Sequence, residues 1–180
     1  MKTFSLEEFR PTIVFLVKFA ALYLIGNLLY GLYVTSYYPR PDPVTNLVTN
    51  QTGLVLTACG HPVTARDHDR KPTTSIIYFD RPVLAVYEGC NGINTMIIFV
   101  SFLLAFGPYT RNLVWFIPAG ILMIHLANLG RITLLFYVSE YQPRYMYFTH
   151  KYLFTAILYI VIFILWLWWV NRYATRKSEK

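Results

Sequence analysis

The chain has 180 residues, of which 56% are hydrophobic and 18% aromatic, and it carries a net charge of +7. The apolar residues gather in long blocks, close to the ~20 residues that cross a bilayer, so an integral membrane protein is expected, with little room for a separate soluble domain. No basic stripe interleaves with aromatics outside these blocks, and much of the positive charge lies at the termini, which excludes a nucleic-acid-binding footprint.

The first apolar block runs roughly from Pro11 to Val34. Pro11 suits a helix start. The block is too long for a signal-peptide core and no small-residue cleavage site follows it, so it reads as a retained anchor. Lys18, two turns inside, is expected to snorkel back to the near interface. Further spans are expected at about 91–107, 113–138 and 151–170, with the second stopping at Gly107-Pro108. Pro118, Gly120 and Gly130 inside the third predict a tilt or kink. The fourth closes on Trp166, Trp168 and Trp169, read as an interfacial belt. The expected fold is an all-α integral membrane bundle of about four transmembrane helices, a single membrane domain over 1–180.

Orientation follows from Lys and Arg. Residues 1–10, 108–112 and 171–180 share one side and hold Lys2, Arg10, Arg111, Arg172, Arg176, Lys177 and Lys180, seven in 25 residues. The other side, 35–89 and 139–149, holds six in 66 residues. The denser side is expected to be cytoplasmic, with both termini inside and the loop 35–89 outside. Within that loop, Val44, Leu47, Val48, Gln51, Leu54, Val55 and Ala58 fall at helical spacing before Gly60, which predicts a short amphipathic helix. Ser75–Phe79 and Pro82–Tyr87, separated by Asp80-Arg81, predict a β-hairpin that feeds into Glu88-Gly89-Cys90.

Three ionisable residues then stand out at helix ends. Cys90 sits at the outer start of the second span, and His150 at the outer start of the fourth. Arg131 is nineteen residues beyond Asn112, roughly 28 Å along the third helix and near the far edge of a ~30 Å hydrocarbon core. The three are expected at one depth. A thiol near a helix start and beside positive groups is expected to ionise readily, and it needs less activation than a serine to attack a carbonyl. His150 would share the proton and donate it to a leaving amine, and Arg131 would stabilise the oxyanion. Gly89 and Gly92 would let a peptide backbone approach. Asn91 would position the substrate amide or donate to the oxyanion, Glu88 would bind substrate or pair with an arginine, and Asn128, one turn before Arg131, shares its face. A buried charge on that face is costly unless it looks into a polar interior. His125 lies deeper and reads as a packing residue or a support to the site. His61 and His68 read as solvated loop residues. No metal-ligand spacing appears and no cofactor is implied.

Cys-Asn-Gly after an outer hairpin, Asn-Leu-Gly-Arg-Ile late in a span and a His opening the last span together resemble the exosortase/archaeosortase family, multi-pass membrane cysteine transpeptidases. The likeness covers roughly residues 40–170 and is strongest to the compact exosortase F-type branch of Bacteroidota. Larger members carry additional N-terminal spans that do not appear here. The resemblance implies that the family's Cys, Arg and His fall on Cys90, Arg131 and His150. It implies an exported protein substrate with a C-terminal sorting signal (a short motif, a transmembrane helix and a basic tail), cut near the motif and passed to an acceptor nucleophile. It implies a bacterial inner (cytoplasmic) membrane location with the site facing the periplasm. Two other classes stay open. A membrane thiol oxidoreductase would use Cys59 with Cys90, which also allow a plain structural disulfide. A non-enzymatic scaffold for envelope biogenesis would tolerate loss of all three site residues.

Overall fold

The computed structural model describes residues 6–107 and 109–174; of the residues named above, Lys2, Pro108, Arg176, Lys177 and Lys180 lie outside them. The chain is mostly helical. Helix α1 spans Leu6–Thr35 and helix α2 spans Pro43–Ala58. Three strands follow, β1 (Thr64–Asp67), β2 (Thr73–Tyr78) and β3 (Arg81–Tyr87). Helix α3 is Ile93–Phe106, α4 is Arg111–Tyr141 and the last, α5, is Phe154–Trp169. Among the described residues, three helical stretches are long and apolar enough to cross a membrane: Phe9–Thr35, Arg111–Tyr141 and Pro143–Arg172. The expected second span, α3, has only 14 residues, roughly 21 Å of helix, which is shorter than a ~30 Å hydrocarbon core.

The apolar stretch of α1 buries 0% of its length inside the protein, so lipid must cover most of it. It touches the bundle along one stripe, where Phe15 meets Phe102 and Phe106 edge-on. Deeper packing joins α3, α4 and α5 around Phe99, Ile124, Ile162 and Trp169. Trp169 departs from the expected interfacial belt. It is fully buried, and its indole N–H donates to the Gly107 carbonyl (2.9 Å), a helix-end acceptor that would otherwise lack a partner. At the opposite end of the bundle a second core gathers Val48, Leu56, Ile76, Val86, Ile132, Phe136 and Phe154.

The loop region departs from expectation in three ways. The hairpin is part of a three-stranded antiparallel sheet in the order β1-β2-β3. Strand β1, Thr-Ala-Arg-Asp, carries no apolar alternation, so hydropathy gave no sign of it. The turn of the hairpin is Phe79-Asp80, one residue earlier than predicted, with both residues at positive φ (48° and 58°), the signature of a tight hairpin that matches strand twist. Helix α2 exists, but its buried face is Thr45, Val48, Thr49, Thr52, Gly53 and Leu56, while Leu47 and Leu54 are exposed. Threonine can be buried here because Thr49 donates to the Thr45 carbonyl and Thr52 to the Val48 carbonyl, at 2.8 and 2.9 Å. Asp42 caps the helix through Val44 and Thr45.

His61 also differs from expectation. It is half-buried in a box of Tyr78, Phe136, Tyr137 and Tyr141 rings. His68 is exposed, as a loop histidine should be.

The helix contacts give a paired prediction. A methyl group at Gly120 of α4 would overlap the ring of Phe99, which is fully buried and cannot yield, whereas nothing lies within 4 Å at Gly130. Gly120→Ala should lower stability by about 1–3 kcal/mol, read as a lower unfolding midpoint in detergent. Gly130→Ala should be neutral, or stabilising by up to about 1 kcal/mol through helix propensity.

Candidate active site

Strand β3 does not run directly into α3. A 3₁₀ turn at Glu88–Cys90 intervenes, followed by Asn91 and by Gly92 at φ +88°. That left-handed position suits glycine. Gly92 is buried, and a Cβ there would press on the Asn128 side chain at 3.2 Å, so the residue seats the turn against α4. The turn holds Cys90 with only 4% of its surface exposed.

His150 arrives from the other side. The last span is a continuous helical run in which Thr149–Leu153 form a π-helical turn. Such wide turns displace side chains from regular spacing. Here the imidazole Nε2 lies 3.3 Å from the Cys90 sulfur. Arg131 comes from α4. Its guanidinium is near enough to act electrostatically on the thiol, on His150 and on the Tyr87 hydroxyl. Arg131 is 9% exposed, and its Nε has no partner among the described residues. One turn earlier, Asn128 is fully buried and donates its amide to the Cys90 carbonyl (2.9 Å). The structure thus brings Cys90, Arg131, His150 and Asn128 together.

The remaining predicted residues take other positions. Asn91 is fully buried and turned inward: its amide donates to Tyr30 (2.7 Å) and Thr45 (3.0 Å), and its oxygen accepts from the Ile93 N–H. It has no donor left to offer a substrate amide. Glu88 sits in the turn with its carbonyl bonded by the Tyr30 hydroxyl, and its Oε2 is buried without a partner among the described residues. The Asn128 oxygen is equally unpartnered. Buried unpaired acceptors are rare in native proteins and mark a place where a ligand group is owed. His125 bonds Gln51 of α2 (2.8 Å) and takes no part in the cluster. Cys59 is exposed and Cys90 buried, and both are free thiols.

Sequence reasoning missed Tyr87. Its ring covers Gly89, in space that a side chain at 89 would fill, and its hydroxyl reaches the Cys90 thiol. An aromatic two residues before a glycine and three before the cysteine was the only available sign.

The electrostatics also differ from expectation. Burial pushes the Cys90 thiol up, and the opposing pull of Arg131 and then of Tyr87 does not cancel it. The sulfur therefore rests protonated at neutral pH. The Tyr87 phenol is also raised, first by the charge the sulfur would carry and then by its own partial burial. A cavity of about 460 Å³ opens onto the pair, lined by Leu84, Ala85 and Val86 of β3, by Cys90 and His150, and by Met146 and Tyr147. Its size is that of small-ligand and peptide clefts. Among the described residues no cluster of three or more His, Cys, Asp or Glu stands close enough to hold a metal.

Comparison with curated proteins and with solved structures gives no match. The family model described as "Transmembrane exosortase (Exosortase_EpsH)" matches residues 9–169, a range that holds all of α1 beyond its first turn, the sheet, the Cys90–His150 pair and Arg131. With nearly the whole chain inside the match, this protein belongs to the transmembrane exosortase family.

Proposed function

We propose that the chain is a cysteine transpeptidase that cuts a C-terminal sorting signal from exported proteins and hands the new C-terminus to an acceptor. The observation that carries the reading is the Cys90 Sγ to His150 Nε2 approach of 3.3 Å beside a buried arginine that has no counter-ion among the described residues. A packing role would not call for an unpaired charge at that position, since burying one is costly. A developing oxyanion would supply the missing partner.

The steps follow from the groups present. The neutral thiol loses its proton to His150 Nε2 as the sulfur bonds to the scissile carbonyl carbon. The carbonyl oxygen becomes an anion next to Arg131. Collapse restores the carbonyl, breaks the carbon–nitrogen bond and sends the His150 proton to the leaving amine. A thioester remains on Cys90. An acceptor amine or water then attacks it, gives its proton to His150, and the sulfur leaves and takes the proton back. Tyr87 steadies the anionic sulfur during both halves, and Asn128 fixes the Cys90 backbone. Glu88 Oε2 and Asn128 Oδ1 are the acceptors available for substrate N–H groups. Gly89 and Gly92 serve the turn itself rather than the approach of a peptide backbone, since Tyr87 folds over the first and Asn128 packs against the second.

The membrane setting completes the reading. With α3 counted as a fourth span and the Lys/Arg density facing the cytoplasm, both termini lie inside. The site then faces the periplasmic side of a bacterial inner membrane. A substrate helix beside the bundle would hold its basic tail in the cytoplasm and its motif at the level of Cys90. The four-span core and the outer loop fit the compact F-type branch.

Three outcomes test this. In the source organism, mass spectrometry of envelope proteins carrying a C-terminal helix and basic tail should find trimmed C-termini in wild type and intact ones in Cys90→Ala; equal trimming in both would favour a scaffold. His150→Ala should lower kcat about 10²–10⁴-fold, and Arg131→Gln about 10²–10³-fold, with Cys59→Ser unchanged. If Cys59→Ser instead matched Cys90→Ala, an oxidoreductase would be the better account. The alkylation rate of Cys90 by iodoacetamide should rise with an inflection above the ordinary thiol range of about 8.5. Tyr87→Phe removes a group that stabilises the thiolate and should move the inflection higher, and Arg131→Gln higher still.

A further inference from the structure

Strand β3 is the edge of its sheet: β2 pairs with one side of it and, among the described residues, no strand pairs with the other. An edge strand presents alternate N–H and C=O groups outward. The Tyr87 backbone is directed at the Cys90 sulfur, so the outward set includes Tyr87 and, two residues back, Ala85. Helix α4 covers this edge only at its beginning. Ser139 donates to the Val83 carbonyl (2.7 Å), and Arg81 pairs with Glu140. From Leu84 to Val86, among the described residues, no hydrogen bond reaches the strand from a helix or loop on that side, and at Tyr87 the Cys90 sulfur takes that place.

The cavity supports the same geometry. It touches Leu84, Ala85 and Val86 in succession. Neighbouring strand residues point to opposite faces, so a cavity lined by three in a row borders the edge of the strand rather than a face. Leu84 and Val86 are buried in the core, which leaves the backbone and the small exposed Ala85 side chain to line the opening. Cys90 and His150 line the same cavity.

We infer that the substrate polypeptide binds as a fourth strand along β3, exchanging main-chain hydrogen bonds with Ala85, and that this pairing carries its scissile carbonyl to Cys90. The inference rests on the transpeptidase reading and names what that site recognises: an extended stretch of peptide, held by its backbone. Affinity then comes from groups that every peptide has. Sequence preference is left to the residues facing the cavity walls. Small side chains suit the position opposite Ala85.

The test uses the full chain in detergent with Cys59→Ser, and acetyl-trialanyl chloromethyl ketone as the probe. The Cys90 sulfur bonds to the probe's methylene carbon, chloride leaves with the bonding electrons, and the thiol proton passes to His150. Mass gain of the intact protein gives the rate. Two further probes carry an N-methyl group on one or the other of two adjacent peptide nitrogens. The expected result is a rate about tenfold lower for one methylated probe and unchanged for its neighbour, because only alternate nitrogens face β3. Ala85→Pro removes the outward N–H without touching the ladder to β2. It should slow the unmethylated probe about tenfold, with iodoacetamide reacting as before, and leave the methylation penalty in place because proline keeps the carbonyl to which the probe N–H donates. If Ala85→Pro also slows iodoacetamide, the methylated pair acting on the wild-type strand decides the question. Equal rates for all three probes, or equal slowing by both methyl groups, would overturn strand pairing. Those outcomes are distinct from failure of the transpeptidase reading, which shows as unchanged trimming in Cys90→Ala cells.

Discussion

Asn91 ties together elements that sequence keeps far apart. Its amide reaches Tyr30 of α1 and Thr45 of α2, and its oxygen holds the first N–H of α3. Thr45 passes the connection to Asp42, which caps α2, and Tyr30 passes it to the Glu88 carbonyl. Every polar group in this chain of bonds is satisfied, which is what allows it to be buried. Cys90 is the residue before Asn91. The thiol therefore has no freedom of its own, and its position follows from where α1, α2 and α3 meet.

Arg131 lies in the opposite kind of surroundings. The Asn91 network is saturated and rigid. One turn along α4 from Asn128, the donor to the Cys90 carbonyl, Arg131 keeps a buried Nε with no partner among the described residues, and Glu88 and Asn128 keep unpaired oxygens. A fold that satisfies one polar cluster completely and leaves the adjoining one open separates support from chemistry. Burial raises the thiol, so the resting sulfur is neutral, beside the imidazole and under a permanent positive charge. Such a site lowers its energy most when a negative charge develops on substrate, not before.

Much of this was legible from helical rise. Three helix ends, one thiol, one guanidinium and one imidazole can be levelled from span lengths because an α-helix advances a fixed distance per residue. What could not be read were features set by packing. The buried face of α2 is threonine-rich because each hydroxyl bonds a carbonyl one turn back, and hydropathy scores that face as polar. Strand β1 has no apolar alternation and exists because β2 offers it a partner. Tyr87 reaches the thiol only because a 3₁₀ turn folds the chain back over a glycine. Trp169 belongs to the core rather than the interface because Gly107 needs its indole.

The thiol and the imidazole are 60 residues apart in the chain. At about 5–20 residues per second, a ribosome needs roughly 3–12 s to add that length. During insertion Cys90 is thus made well before His150, and the π-helical turn that carries the imidazole follows with the last helix. Cys90 also shares its core with Ile132, Leu135 and Phe136 of α4 and with Phe154 of the last helix, so its burial too waits for residues made later. Both the imidazole beside the sulfur and part of its apolar cover therefore come from the portion of the chain made last.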